Sequence, residues 1–533
     1  MLSAAALRSE NSPARLVRAG VFASSAVAGV LFRLWIVASP LGVLDGDEAV
    51  VGLMARRALD GSFNAFYWGQ EYGGSQEALL VAALLFVGVP ARWAMELVPI
   101  GLHLGAAVLV WRIGVHLSRF ARDSGSSGPP SARETRWPLL AAGICWAASP
   151  ALLWWSTKER GFYGFTLVCG LTVLLLTLRS CCPSGDQKGH EGGVGTARRA
   201  TSTSVGLGLA AGLGWWASPQ ILHFVVPSGL WLVWTHRRRL AALAKTVAVA
   251  APAAVVGALP WLWANAETGL ASFEAAGDRR LFGDPFDVFF RFGVPMVLGL
   301  REPITLGWEL PGARVAYAAV LLGLAALLVL RPTPLRPVLL AVAAYPLVFA
   351  VLPTTYYYGE PRYLDFLWPL LAIVAGWAIT RIPWVVAQAA VVAAVLAVTA
   401  NGVAGMVELQ GPPGAPFEDL SPEPVTELVR ALDGLEADRV FADYWVAYRL
   451  TFETDERIVA TPLQVVRDRR IDQAVRKSEA PVYVVVAGTC GRPLRERLSA
   501  VGVGYDVTPV AGVWDVVVPD RRVLPEELGP PFC

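Results

Sequence analysis

Eleven runs of apolar residues, separated by loops that are alternately rich and poor in arginine, leave this chain few architectures to choose from. A helix needs about 20 apolar residues to cross a hydrocarbon core of about 30 Å at 1.5 Å rise per residue. Runs of that order lie near 18–39, 93–115, 137–153, 161–178, 204–218, 220–235, 242–263, 314–330, 338–353, 363–380 and 383–402. The mean hydropathy of +0.49, with 55% hydrophobic and 17% charged residues, is a balance that soluble globular chains rarely reach. The expectation is a polytopic α-helical membrane protein with about 11 transmembrane helices.

The basic residues set its orientation, because cytoplasmic loops carry the excess of Lys and Arg. Arg8, Arg15 and Arg18 precede the first run with no clean small-residue cleavage site, which predicts a retained anchor and a cytoplasmic N-terminus. Arg112, Arg119, Arg122, Arg133 and Arg136 place the loop near 120 inside as well. An odd number of crossings must then separate residue 40 from residue 120. The apolar stretch 78–89 would extend only about 18 Å as a helix, so it is expected on the outer face, with a second juxtamembrane helix around 46–60. HRRR at 236–239, RPTPLRP at 331–337 and Arg381 continue the alternation and put the C-terminal part outside an integral plasma membrane protein.

After residue 402 the composition changes. GPPGAP at 411–416 reads as a hinge, and RVFADYW, PVYVVVAG and VWDVVVP read as strands alternating with helical stretches. The division predicted is a transmembrane module over 1–402 and a small extracytoplasmic α/β domain over 403–533. Cys490 and Cys533 would face an oxidising space there and are expected to pair if their Cα atoms fall within about 7 Å. No GxxxxGK[ST] loop appears, which argues against an ATP-driven machine, and nothing points to a nucleic-acid partner.

The stretch LDGDEAVVGLMARRALDGSFNAFYWGQEYGGSQE at 44–77 stands out because it gathers Asp45, Asp47, Glu48, Glu71 and Glu77 beside Arg56 and Arg57 at the end of the first run. Acids in an outer loop often do no more than keep it soluble. The other polar clusters, however, fall on the same predicted face: Arg92; Lys158, Glu159 and Arg160; Asp278, Arg279 and Arg280; and Tyr356, Tyr357, Tyr358, Glu360 and Arg362. Cations near a membrane surface can hold an anionic leaving group while a carboxylate takes a proton from an acceptor hydroxyl. The alternative is a membrane transporter or lipid flippase, which would place ionisable groups near the bilayer midplane. Arg33 is the clearest such group.

DGDEA at 45–49 with LMARRALDGS after it, YWGQEYGGSQEALLVAALLFVGVPARWAMELVP, KERGFYG, LPWLWANAETGLASF and EPRYLDFLWPLLA at 360–372 resemble the GT-C superfamily of integral membrane glycosyltransferases. That group includes the protein O-mannosyltransferases and the lipid A aminoarabinose transferase. The resemblance covers roughly the first 400 residues and implies a polyprenyl-phosphate-linked sugar donor with a catalytic acid on the first outer loop. By position, Asp47 looks like the general base with Glu48 or Asp45 in support, its basicity raised by partial desolvation at the interface. Lys158, Arg160 and Arg362 look like donor phosphate holders, and Arg92 takes a structural or donor-site role. Asp45 and Asp47 also form a DxD, which ligates a divalent cation in oligosaccharyltransferase-like relatives, although the mannosyltransferase group mostly works without one. The acceptor, whether glycan, lipid or protein, is not carried over.

Overall fold

A computed structural model describes residues 13–123, 132–147, 149–181, 194–274, 284–302, 305–352, 361–409 and 422–529. Asp278, Arg279, Arg280, Tyr356, Tyr357, Tyr358, Glu360 and Cys533 lie outside the described residues. A helix occupies each of the eleven apolar runs, from Pro13–Ala38 to Val385–Leu409. Among the described residues, six are long and apolar enough to cross a membrane, or seven if a pair bent by 81° at Pro40 counts as one span. The figure of about 11 therefore holds for helix positions but not for spanning length. The shortfall has local causes. The run at 137–153 is split between Ala132–Ala147 and Pro150–Trp155, and the run at 363–380 opens with a 3-10 turn that leaves only Trp368–Ile379, because proline withholds the N–H that would continue a helix.

Several helices keep apolar faces that no protein covers. Val315, Leu322 and Val329 on Ala313–Leu330 are each more than 70% exposed. Such a surface suits a lipid environment. Elsewhere small residues let backbones meet: a Cβ on Gly208 or Gly212 would lie 2.0 Å from the Ala250 or Ala254 carbonyl oxygen of Leu240–Gly257. That spacing of four is the close-approach pattern of membrane helices. Arg33, in the first helix, is consumed by packing. Its Nη1 donates to the Gly29 and Trp146 carbonyls at 2.8 and 2.9 Å while its guanidinium lies over the Trp146 ring.

Two further helices sit beside the spans. Gly46–Leu59 leaves the first helix at the bend, and Gln76–Phe86 follows a short antiparallel hairpin of β1 (Phe66–Tyr67) and β2 (Gln70–Gly74). With 11 residues Gln76–Phe86 rises about 16 Å, short of the hydrocarbon core.

Residues 422–529 form a five-stranded sheet of order β4-β3-β5-β7-β6, with β3 (Arg439–Ala442), β4 (Val459–Pro462), β5 (Val482–Val486), β6 (Tyr505–Val510) and β7 (Trp514–Pro519). β3 pairs parallel with β4 and β5, and β7 pairs antiparallel with β5 and β6. The strand period of two gives the sheet two apolar faces. Val482 and Val484 join one buried cluster, Tyr483 and Val485 the other. Cys490 is disulfide-bonded.

The helix Tyr444–Glu453, which crosses from β3 to β4, rests on Gly46–Leu59. A Cβ on Gly52 would lie 2.4 Å from the Phe452 ring, and one on Gly46 would lie 2.9 Å from the Tyr444 carbonyl oxygen, so glycine sets the closeness of this contact. Arg56 pairs with Asp455 at 2.6 Å and Arg57 with Glu456 at 2.5 Å. Both acids are presented by a left-handed turn, φ 51° and 62°, which L-residues adopt at a cost of about 1–2 kcal/mol each.

Candidate functional site

The DGDEA turn folds as it does because Asp45 is a helix cap. Its Oδ1 accepts from the Glu48 N–H at 3.1 Å, and Glu48 Oε2 accepts from the Asp45 N–H at 3.0 Å. This reciprocal box satisfies two of the orphan donors at a helix start. Both cap residues are also paired with cations. Arg160 Nη2 lies 2.5 Å from Asp45 Oδ2, and Lys158 Nζ lies 2.8 Å from Glu48 Oε2 while also donating to the Val43 carbonyl. All four side chains are buried.

Asp47, between them, points another way. Its carboxylate is 12% exposed, with Oδ2 at 3.4 Å from Arg160 Nη1 and 3.8 Å from Arg362 Nη1. The hydroxyl of Tyr444 donates to Oδ1 at 2.5 Å, and Tyr67 donates to the Asp47 carbonyl at 3.0 Å. Arg467 donates from Nε to the Tyr444 hydroxyl at 3.2 Å and from Nη1 to the Gly69 carbonyl at 2.9 Å. Arg362 is seated against the rings of Trp155, Tyr163 and Tyr363. Rings on several sides of a guanidinium hold it in place without neutralising it.

Burial alone pushes the Asp47 carboxyl up, but the charges of Arg160 and Arg362, the Tyr444 hydrogen bond and the charge of Arg467 outweigh it and hold it below the ordinary carboxylate value. The expected rise in Asp47 basicity is thus reversed: the cations gathered around it cost more basicity than desolvation adds. The result is a carboxylate that stays ionised. Burial instead raises Glu48, with Lys158 working against it, and raises Tyr444, with the Asp47 charge adding to the effect.

Behind this cluster lies a second acid pair. Both acids are buried; Glu77 Oε1 accepts from the Phe165 N–H at 2.7 Å and Glu159 Oε1 from the Gly161 N–H at 3.2 Å. Glu159 is held well above its usual range by burial and then by the Glu77 charge, and Glu77 is raised by burial. Deeper still, His103 places Nε2 3.0 Å from Asp365 Oδ2 and Nδ1 2.9 Å from the Pro99 carbonyl. A void of about 20 Å³, room for about one water, lies among Lys158, Arg160, Arg362, Glu77, His103 and Asp365.

The structure therefore brings together Asp45, Asp47, Glu48, Lys158, Arg160 and Arg362, which lie up to some three hundred residues apart in sequence. It does not bring Arg92 to them. Arg92 pairs with Glu96 at 3.4 Å, is 71% exposed, and lines a cleft that Glu48, but not Asp47, Lys158, Arg160 or Arg362, also lines. The DxD carboxylates share the guanidinium of Arg160, an arrangement that does not fit a divalent cation. Tyr444, Arg467, Tyr67 and the His103–Asp365 pair were not foreseen as site residues. The only signal for Tyr444 was its place in the ADYW run, and Arg467 had none.

Chemically, the arrangement offers one ionised carboxylate, that of Asp47, facing Arg160 and Arg362. No family model and no curated protein matches the chain by sequence. Its structure is similar to that of ArnT from Cupriavidus metallidurans bound to undecaprenyl phosphate, with 15% identity over 96% of this chain and 99% of that one and a TM-score of 0.59. The apo state of the same protein matches over the same shares at 16% identity and a TM-score of 0.55. The likeness is one of fold, and it extends over nearly the full length of both chains.

Proposed function

We propose that this chain, which shares the ArnT fold, is a glycosyltransferase that moves a sugar from a polyprenyl-phosphate-linked donor to an acceptor hydroxyl on the outer face of the membrane. The observation that carries the reading is the Asp47 carboxylate opposed by Arg160 and Arg362 with Lys158 beside them, at one end of a bundle of apolar helices. The undecaprenyl phosphate in the ArnT structure supports the donor class.

On this reading the roles are as follows. The acceptor hydroxyl approaches Asp47, its oxygen bonds to the anomeric carbon, and its proton passes to the carboxylate. The bond from that carbon to the phosphate oxygen breaks, and polyprenyl phosphate departs with its charge facing Arg362 and Arg160. Lys158 and Asp45 act indirectly, since one holds Glu48 and the other Arg160. Tyr444 and Arg467 orient Asp47. On the same reading, all eleven helical runs lie within the bilayer, residues 1–402 form the membrane module, and 403–533 form an extracytoplasmic domain that covers the site.

Purified protein supplied with polyprenyl-phosphate sugars should release polyprenyl phosphate when a suitable acceptor is present. Asp47→Asn should lower turnover by roughly 10²–10⁴-fold, the usual worth of a general base. Turnover at the wild-type rate in that variant would remove the carboxylate from the mechanism.

A further inference from the structure

A cleft of about 580 Å³, lined by Glu48 and Arg56 of Gly46–Leu59 but not by Asp47, opens between the end of the first helix, the start of Ala91–Asp123 and the helix Tyr444–Glu453. One wall is apolar, formed by Val37, Val43, Met95 and Phe452, and the other is charged. The proposed transfer chemistry makes no use of it.

Its charges are unevenly satisfied. Arg56 is committed to Asp455 at 2.6 Å. Arg449 is 2% exposed; its Nε donates to Glu453 at 3.0 Å, but its Nη1 is buried with no hydrogen-bond partner among the described residues. An arginine carries five N–H donors, and a buried donor without an acceptor costs about 1–3 kcal/mol. Arg92, at the rim, has only a 3.4 Å contact to Glu96 and is largely exposed. The cleft is also lined by Glu48, Glu96, Glu453 and Asp455, but each of these is paired, with Lys158, Arg92, Arg449 and Arg56, so the unmet capacity is that of Arg449 Nη1 for an acceptor, and its charge favours an anionic one.

Apolar side chains near the cleft are exposed. Leu34 and Trp35, one turn before its apolar wall, are 56% and 39% exposed, and Trp93 and Leu97, flanking Arg92 and Glu96, are 51% and 48% exposed. A molecule whose head reached Arg449 would lay its tail along these side chains. We infer that the cleft binds the head group of an anionic membrane phospholipid, with the phosphate on Arg449 and Arg92 and the chains along the outer faces of the first helix and of Ala91–Asp123.

Native mass spectrometry of the full chain, stripped of lipid in detergent, tests this independently of any transfer activity. Phosphatidylglycerol should be retained at roughly tenfold lower concentration than phosphatidylcholine, and glycerol 3-phosphate, which has the head but no chains, should not be retained. Arg449→Met should abolish the preference. Because Arg449 is buried, Ala91→Trp, which fills the rim without removing a charge, is the second variant and should abolish it too. Equal retention of the two lipids, or an unchanged preference in Ala91→Trp, would overturn the inference. Retention of glycerol 3-phosphate as strong as that of the lipid would overturn it in favour of a soluble anion.

Discussion

Asp45, Asp47 and Glu48 share a single helical turn, yet the helix start assigns them different work. The cap consumes Asp45 and Glu48 and leaves Asp47 facing the cations. Since the Asp47 carboxyl is held below its ordinary value of about 3.9, both its charge and its contribution to stability are present above that value and are lost only as pH falls through the lower, folded-state one. Tyr444→Phe and Arg362→Gln each remove a lowering influence, so each should move the acid limb of the kcat/KM profile upward, which a purely structural role would not do. Lys158→Met should be costly in another way. It strands the Glu48 carboxylate, 4% exposed, and should destabilise the fold by about 3–5 kcal/mol in thermal or denaturant unfolding. Glu159 runs opposite to Asp47. Its folded value is raised, so its contribution is full below the unfolded value of about 4.3 and declines as pH rises toward the folded one. Glu159→Gln should remove that decline, seen as a flatter dependence of Tm on pH between mildly acid and mildly alkaline buffer. Asp47 was legible in the sequence because composition and neighbours mark the loop. Its lowered pKa was not, because it depends on cations that approach from residues 160, 362 and 467.

At the level of elements, apolar periodicity located the helices and the strand alternation located the sheet, since both follow from how side chains alternate along each element. What local pattern could not reveal is which element rests on which. Arg56 and Arg57 stand beside the acids of the first outer loop in the sequence, yet they anchor the turn at Asp455 and Glu456. Gly52 has no neighbour in sequence that signals its role, yet it is where Phe452 packs. Gly52→Val should overpack that contact by about 1–3 kcal/mol and tilt Tyr444 away from Asp47. The expected outcome is a lower Tm together with reduced turnover, with Tyr444→Phe adding less in this background than it does in the wild type. Equal effects of Tyr444→Phe in both backgrounds would mean that the two helices are not coupled.

For the molecule as a whole, the proposed orientation places Arg92 on the outer face, and its 71% exposure makes it a usable reporter. Arg92→Cys should react with a membrane-impermeant maleimide added to intact cells. Labelling only after the cytoplasm is opened would mean that Gln76–Phe86 crosses the membrane after all. The count of crossings was less legible than the helix positions, because prolines shorten several runs and the amount of burial depends on neighbours far along the chain. The contact between Tyr444 and Asp47 also bears on time. The two residues are separated by 397 positions. At a synthesis rate of about 5–20 residues per second, that separation corresponds to roughly 20–80 s. During that interval Asp47 has been synthesised while its tyrosine and Arg467 have not. On the proposed function, a nascent or prematurely ended chain would carry an untrimmed site, and competence would arrive only with the final stretch of translation.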